Sequence, residues 1–317
     1  MTDIAIDPTL DLFDEIERLK KERKAIVLAH YYQDPDIQDV ADHLGDSLEL
    51  ARRARDEENA EVILFCGVHF MAETAKILNP EKTVILPDLD AGCSLADSCP
   101  GDQLRAWREQ HPDHYIISYI NCSAETKALS DIICTSSNAE KILRSVPEDR
   151  PILFAPDRNL GQWLIKKTGR EMDLWPGTCM VHVTFSERNI LSLKAQNPQS
   201  KFIAHPECED HILRHADYIG STTNLLRFVQ EDPAPSFIVG TETGILHAMS
   251  KAAPGKELIG APVEDSGSCS ACSECPHMKL NTPEKMVLAL RDLEPRIELS
   301  DGIREQALLP LQRMLAL

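Results

Sequence analysis

Short apolar runs recur along this chain in sets of four, separated by polar stretches of helix length. The first run of each set is "KAIVLAH" (24–30), "YIISYI" (115–120) and "KFIAH" (201–205). A helical stretch and a second short run follow. The third run comes at "VILFCG" (62–67), "PILFAP" (151–156) and "SFIVGT" (236–241). It leads into the helix-like stretches "MAETAKIL", "NLGQWLIKK" and "GILHAMSKAA", and then into a fourth run, "TVILPD" (83–88), "EMDLWPG" (171–177) and "ELIGAP" (257–262). Strand-length apolar runs alternating with helical stretches predict parallel sheets covered on both faces. His30 to Phe65, Tyr119 to Phe154 and His205 to Val239 span 35, 35 and 34 residues. The period of 86 to 89 residues exceeds the roughly 20–50 of solenoid repeats, so each repeat is a small module. The predicted fold is α/β: three similar doubly wound αβα modules with parallel sheets around a pseudo-threefold axis, at 1–108, 109–192 and 193–281. Segments 8–24 and 282–317 read as amphipathic helices outside the repeats, the C-terminal helices completing the first module. The stretches near 106–114 and 186–200 read as linkers.

Polar residues recur in the same frame. His30 to Ser47, Tyr119 to Ser136 and His205 to Thr222 are each 17 residues apart. Cysteines close each module: Cys93, Cys179, and the cluster Cys269, Cys272 and Cys275. In doubly wound sheets ligands bind beyond the carboxyl ends of strands. These residues fall after the first, second and fourth strands, so the three modules are expected to share one central site.

Composition narrows the class. The chain has 317 residues, 43% hydrophobic and 26% charged, as in an ordinary globular protein. No apolar run approaches the roughly 18 residues that span a bilayer. The start "MTDIAIDPTLDLFDEIERLKKERK" has no basic segment followed by an apolar core, so no secretory signal is read. A net charge of −18 disfavours nucleic acid and anionic lipid, which bind through Lys and Arg. Ten cysteines without an export signal point to a reducing cytosol, where cysteines are packed thiols, metal ligands or nucleophiles. Cys66 and Cys134 sit in strand-like runs and read as core thiols. Packing is also the favoured reading of Cys122 and Cys208, each three residues after a strand-end polar residue.

The motif C-x-x-C-x-x-C-P at 269–276 partly matches a ferredoxin run, which needs a further cysteine after three more residues. No cysteine follows Cys275, and a second C-x-x-C pair at zinc-ribbon distance is lacking. The local cluster therefore cannot complete a four-ligand site, and Cys93 and Cys179 hold the equivalent places in the other modules. Three thiolates on a four-iron cluster leave one iron open as a Lewis acid, suited to dehydration or condensation of an anionic substrate. The competing reading packs Cys93 and Cys179 and gives 269–275 a structural zinc.

The motifs "AHYYQDPDIQDVAD", "GDSLELA", "FCGVHFMAETAKIL", "YINCSAETKALSD", "TSSNA", "FAPDRNLG", "WPGTC", "AHPEC", "GSTTNLL", "GTETGILHAM" and "CPHMKLN" run in order from about residue 25 to 290. In them the chain resembles the quinolinate synthase (NadA) family of NAD biosynthesis. The resemblance implies a three-domain fold around a [4Fe-4S] cluster with one iron not bound by cysteine. It implies condensation of iminoaspartate with dihydroxyacetone phosphate to quinolinate, with release of phosphate and two waters. It maps the cluster ligands to Cys93, Cys179 and Cys275, leaving Cys269 and Cys272 as a spare pair or a reversible disulfide. It maps substrate-binding positions to His30, Ser47, Tyr119, Asn121, Ser136, His205, Glu207 and Thr222, and places Tyr32 near the open iron. By pathway alone it implies coupling to an aspartate oxidase or dehydrogenase.

The hydroxyls of Ser47, Ser136 and Thr222 suit carboxylate or phosphate oxygens beside helix starts, though helix capping explains such residues equally. Glu207 is the candidate general base, with His205, Tyr32 and Tyr119 as further catalytic candidates for carrying protons or orienting substrate. His69 and His182 read as structural, and Met180 is assigned no role. Two other classes compete: an iron–sulfur sensor or electron-transfer protein, and a zinc-stapled scaffold. A sensor would carry a DNA-binding motif and a basic surface, and this acidic sequence shows neither.

Overall fold

Each predicted first and third run is a strand, and the two lie side by side. The computed structural model describes residues 6–7, 9–264 and 273–317. Among them the first sheet comprises β1 (Ala25–His30), β2 (His43–Gly45), β3 (Val62–Cys66) and β4 (Thr83–Ile85). The second comprises β5 (Tyr115–Tyr119), β6 (Ile132–Cys134), β7 (Ile152–Ala155) and β8 (Asp173–Leu174). The third comprises β9 (Ser200–Ala204), β10 (Tyr218–Ile219), β11 (Ser236–Gly240) and β12 (Glu257–Gly260). All pairings are parallel. The order is the same in every sheet: second, first, third, fourth strand. The fold class is therefore α/β, with three similar four-stranded modules.

Burial follows strand position. The third strands β3, β7 and β11 are buried throughout, whereas the edge strands β8 and β12 are partly exposed. This is why the third runs read as continuous apolar sequence and the fourth do not. The two faces of β11 enter separate cores: Phe237 and Val239 on one side, Ile238 on the other, the alternation a strand imposes.

One polar device recurs in all three sheets. Asp42, Asp131 and Asp217 precede the second strand. Each carboxylate accepts the N–H of a first-strand residue, Val27 at 2.7 Å, Ile116 at 2.8 Å and Phe202 at 2.7 Å. Each aspartate N–H in turn donates to that same residue's carbonyl. A short second strand leaves few ladder bonds, and this double bond to the first strand pins its entry and register.

The helix Leu12–Arg23 packs on Pro283–Asp292, burying Ile16, Leu19, Met286 and Leu290 in the core under the first sheet. The last helix, Asp301–Leu315, packs mainly against Ala124–Ala128 and β6 of the second module and also meets His69–Leu78 of the first. Its Ala307, Leu311 and Met314 join a core continuous between these modules. The two stretches read as linkers are largely helical, as Gly101–Gln110 and Glu187–Gln196. Glu187–Gln196 buries only Ile190, so its apolar period is too weak to stand out in sequence. None of the described helices is long and apolar enough to cross a membrane.

Candidate active site

In each sheet the chain leaves the first strand toward one edge and returns to lay the third strand on its other side. Residues after the first and third strands thus meet at the carboxyl edge, where such sheets bind ligands. A single pocket with about 730 Å³ of empty space is lined there by all three modules. The first contributes His30, Tyr32, Ser47 and Cys93, the second Tyr119, Asn121, Ser136 and Cys179, and the third His205, Glu207, Thr222 and Cys275. Every candidate residue named from the sequence, other than Cys269 and Cys272, lies on this wall. Those two fall outside the described residues.

The side chains bond across module boundaries. The Tyr119 hydroxyl donates to Glu207 Oε1 at 2.5 Å. The Tyr32 hydroxyl lies between Thr222 Oγ1 at 3.1 Å and Thr241 Oγ1 at 2.7 Å. Asn121 Oδ1 is a buried acceptor without a partner among the described residues, as fits a group awaiting a ligand donor. Ser47 and Thr222 open the helices Ser47–Asp56 and Thr222–Glu231. Both helix starts therefore adjoin the pocket, where the positive end of the helix favours an anion even though Asp46 and Ser221 cap part of each first turn.

Burial pushes the Glu207 carboxyl up, but the neighbouring His182 and His205 rings and the Tyr119 hydroxyl outweigh it and hold it at about 2. His182 Nδ1 stands 3.1 Å from Glu207 Oε2, off the line of a well-formed hydrogen bond. An ionised Glu207 follows, with its charge met by Tyr119 O–H and the His182 ring. Asp157 moves the other way, raised by burial and by the charge of Glu207.

Two histidines are neutral by burial. His30 is pushed down to about 4 and His205 to about 3, despite the nearby carboxylates. His30 Nδ1 accepts the Tyr32 N–H at 3.2 Å, and His205 Nδ1 accepts the Glu207 N–H at 3.4 Å. Both protons therefore sit on Nε2. His205 Nε2 donates to Ser136 Oγ at 3.1 Å, which leaves the Ser136 proton free for a ligand.

Neutral burial of His30 costs stability in acid. An unfolded histidine takes up its proton near pH 6.5, whereas folded His30 waits until about 4. Between these values the unfolded chain holds the extra proton, so stability falls as pH drops from 6.5 to 4 and no further below. The loss from this residue is about 3 kcal/mol. Denaturant unfolding at pH 7 and pH 4.5 is expected to show a smaller acid loss in His30→Asn than in the wild type. Equal losses would contradict a buried neutral His30.

The three cysteines share one local arrangement. The N–H groups two and three residues on face each sulfur: Leu95 and Ala96 for Cys93, Val181 and His182 for Cys179, His277 and Met278 for Cys275. They favour the thiolate, although Cys93 makes no well-aligned capping bond. Burial acts against them and dominates: Cys93 is pushed up to about 12, and Cys179 and Cys275 are also raised. Three half-buried thiols, each turned toward paired N–H donors, form a donor set that needs a cationic centre to ionise it. Cys66, Cys122, Cys134 and Cys208 are fully buried and off the pocket wall.

Sequence reading missed several groups here. His182, read as structural, lines the pocket, and its ring nitrogen, Cys179 Sγ and a Glu207 oxygen lie within 4.8 Å of one another. His182 Nε2 also contacts Thr241 Oγ1 at 3.0 Å. Glu242 accepts the N–H of Cys275 at 3.2 Å and of Gly244 at 2.7 Å. The Lys279 ammonium joins Glu242 at 3.4 Å to Asp34 at 2.9 Å and to the Tyr32 carbonyl at 3.1 Å. Gly244 permits this approach, since a Cβ there would stand 2.8 Å from the Tyr32 backbone. His69 does not line the pocket.

Comparison with known proteins places nearly the whole chain among named relatives. A family model described as NadA, quinolinate synthetase A protein, matches residues 14–316. The chain is similar to the quinolinate synthase of Nostoc sp., at 60% identity over 306 residues, 96% of this chain and 93% of that one. It is 61% identical to the quinolinate synthase of Thermosynechococcus vestitus, over 96% of this chain and 95% of that one. The quinolinate synthase of Prochlorococcus marinus is 58% identical over 95% of this chain and 89% of its own.

Proposed function

This chain belongs to the NadA family of quinolinate synthetase A proteins, and we propose that it condenses iminoaspartate with dihydroxyacetone phosphate to quinolinate, phosphate and two waters. The observation that supports this reading most is the convergence of one cysteine from each module on a pocket walled by anion-binding hydroxyls and an ionised carboxylate. The bounds 1–108, 109–192 and 193–281, and their setting around a pseudo-threefold axis, belong to the same proposal.

Cys93, Cys179 and Cys275 would hold a [4Fe-4S] cluster. When bound, its iron without a cysteine supplies a Lewis acid toward substrate oxygen. The remaining work falls to the chain. Ser47, Ser136 and Thr222 receive phosphate or carboxylate oxygens beside helix N-termini. Ser136 donates because its lone pair is already taken by His205. Asn121 Oδ1 accepts from the imine N–H. Glu207, ionised at neutral pH, removes carbon-bound protons in the tautomerisation and ring-closure steps. Tyr119 and Tyr32 orient substrate and pass protons, while His30 and His205 act as neutral Nε2–H donors. Three modules around one pocket keep bulk water from the imine. A partner enzyme that oxidises aspartate would supply that imine in the cytosol.

The test is an oxygen-free incubation of purified protein with dihydroxyacetone phosphate and iminoaspartate generated in place. Quinolinate and phosphate are expected in equal amounts. Protein that carries its cluster and forms neither product would overturn the proposal.

A further inference from the structure

The three candidate anion-binding hydroxyls each have a sequence neighbour engaged in one hydrogen-bonded chain, and that chain crosses all three modules. Ser137, next to Ser136, places its Oγ 2.7 Å from Asp46 Oδ2 and 2.9 Å from Ser221 Oγ. Asp46 adjoins Ser47, and Ser221 adjoins Thr222. Asp46 and Ser221 are both buried. Each is also the N-cap of the helix whose first residue faces the pocket.

The protons in this chain have one consistent assignment. Asp46 Oδ1 accepts the N–H groups of Leu48 and Glu49 at 3.1 and 3.0 Å. Ser137 donates to the other carboxylate oxygen, Oδ2. With its proton committed, Ser137 accepts from the Ser221 hydroxyl. Ser221 in turn accepts the Asn224 N–H at 3.3 Å. Every proton is used inside the chain, and Ser137 and Ser221 are not among the pocket-lining residues. Those two serines therefore do not touch a ligand, whereas Asp46 lines the pocket beside Ser47.

The geometry points to Asp46, Ser137 and Ser221 as a positioning pin that sets the mutual spacing of Ser47, Ser136 and Thr222. Its ligand class is an oxyanion, a phosphate ester or a carboxylate, and in this it rests on the proposed reaction. Two of the three hydroxyls ride on helix starts whose caps are pin members. Ser136 is carried by the loop that Ser137 ties to both. A shift of any module moves one hydroxyl out of the triangle, and oriented contacts weaken steeply with such displacement.

Ser137→Ala tests the pin directly. It cuts both inter-module links but leaves the caps made by Asp46 and Ser221, so the local helices keep their own bonds. Calorimetric titration of the cluster-loaded protein with dihydroxyacetone phosphate, and separately with pyridine-2,3-dicarboxylate, is expected to show about tenfold weaker binding of each. The iron content, thermal midpoint and kcat stay near the wild type while KM rises. Ser137→Thr, which restores the hydroxyl, is expected to recover most of the affinity. Asp46→Asn keeps a capping oxygen but removes the charged acceptor, and is expected to weaken binding by about threefold. Binding by Ser137→Ala within twofold of a wild type that binds both ligands would sink the pin alone. Loss confined to one ligand would contradict a shared triangle, and a wild type binding neither would sink the reaction together with the pin.

Discussion

Cys179→Ala is expected to yield a folded, colourless protein with iron near zero and quinolinate formation reduced at least 100-fold, roughly the upper range seen when metal-site support is lost. Cys179 follows the fourth strand of the second module and faces the pocket with the N–H groups of Val181 and His182 turned toward its sulfur. No other described cysteine of that module reaches the pocket: Cys122 and Cys134 are fully buried and off its wall. The module therefore has no substitute thiolate. Cys93→Ala and Cys275→Ala are expected to behave alike, whereas Cys269→Ala keeps the colour. Visible absorbance and iron analysis after oxygen-free purification decide the matter. A chromophore that survives Cys179→Ala would refute one ligand per module.

Glu207→Gln is expected to keep the iron and lose about 10²- to 10⁴-fold in kcat, the usual worth of a positioned general base. The side chain is buried, accepts the Tyr119 hydroxyl at 2.5 Å and is held ionised. Glutamine preserves the volume and can still accept from Tyr119, but it cannot take a proton from carbon. The separation of iron content from turnover distinguishes this loss from that of the cysteine variants. Turnover within a few-fold of the wild type would remove Glu207 as the base.

The amino-acid pattern revealed most of the strands because the first and third runs are buried and mostly apolar, as Val27–Ala29 and Val62–Cys66 illustrate. It did not reveal the strand order. That gap explains the missed residues. With the third strand beside the first, positions two beyond β3, β7 and β11 look into the site or border it. Those positions hold Val68, Asp157 and Glu242. A comparison of repeats finds residues of like chemistry at like places, and here Val68 breaks the pattern that the acids Asp157 and Glu242 would have made.

His182 escaped for a related reason. It lies three residues after Cys179, where the other modules have Ala96 and Met278, so nothing repeats. Its position becomes meaningful only once Glu207 is brought beside it. The Asp46–Ser137–Ser221 chain was hidden because Asp and Ser before a helix already have a sufficient local explanation as caps. Only the fold adds the inter-module bonds. His30, Tyr119 and His205 were legible because each stands at the end of a first run, 17 residues before a hydroxyl, and Cys93 and Cys179 because each follows a fourth run.

The most direct test of one thiolate from each module holding an iron–sulfur centre in the shared pocket is the iron, acid-labile sulfide and zinc content of protein purified without oxygen. About four irons and four sulfides per chain are expected, as for a [4Fe-4S] centre. Stoichiometric zinc without sulfide would contradict it.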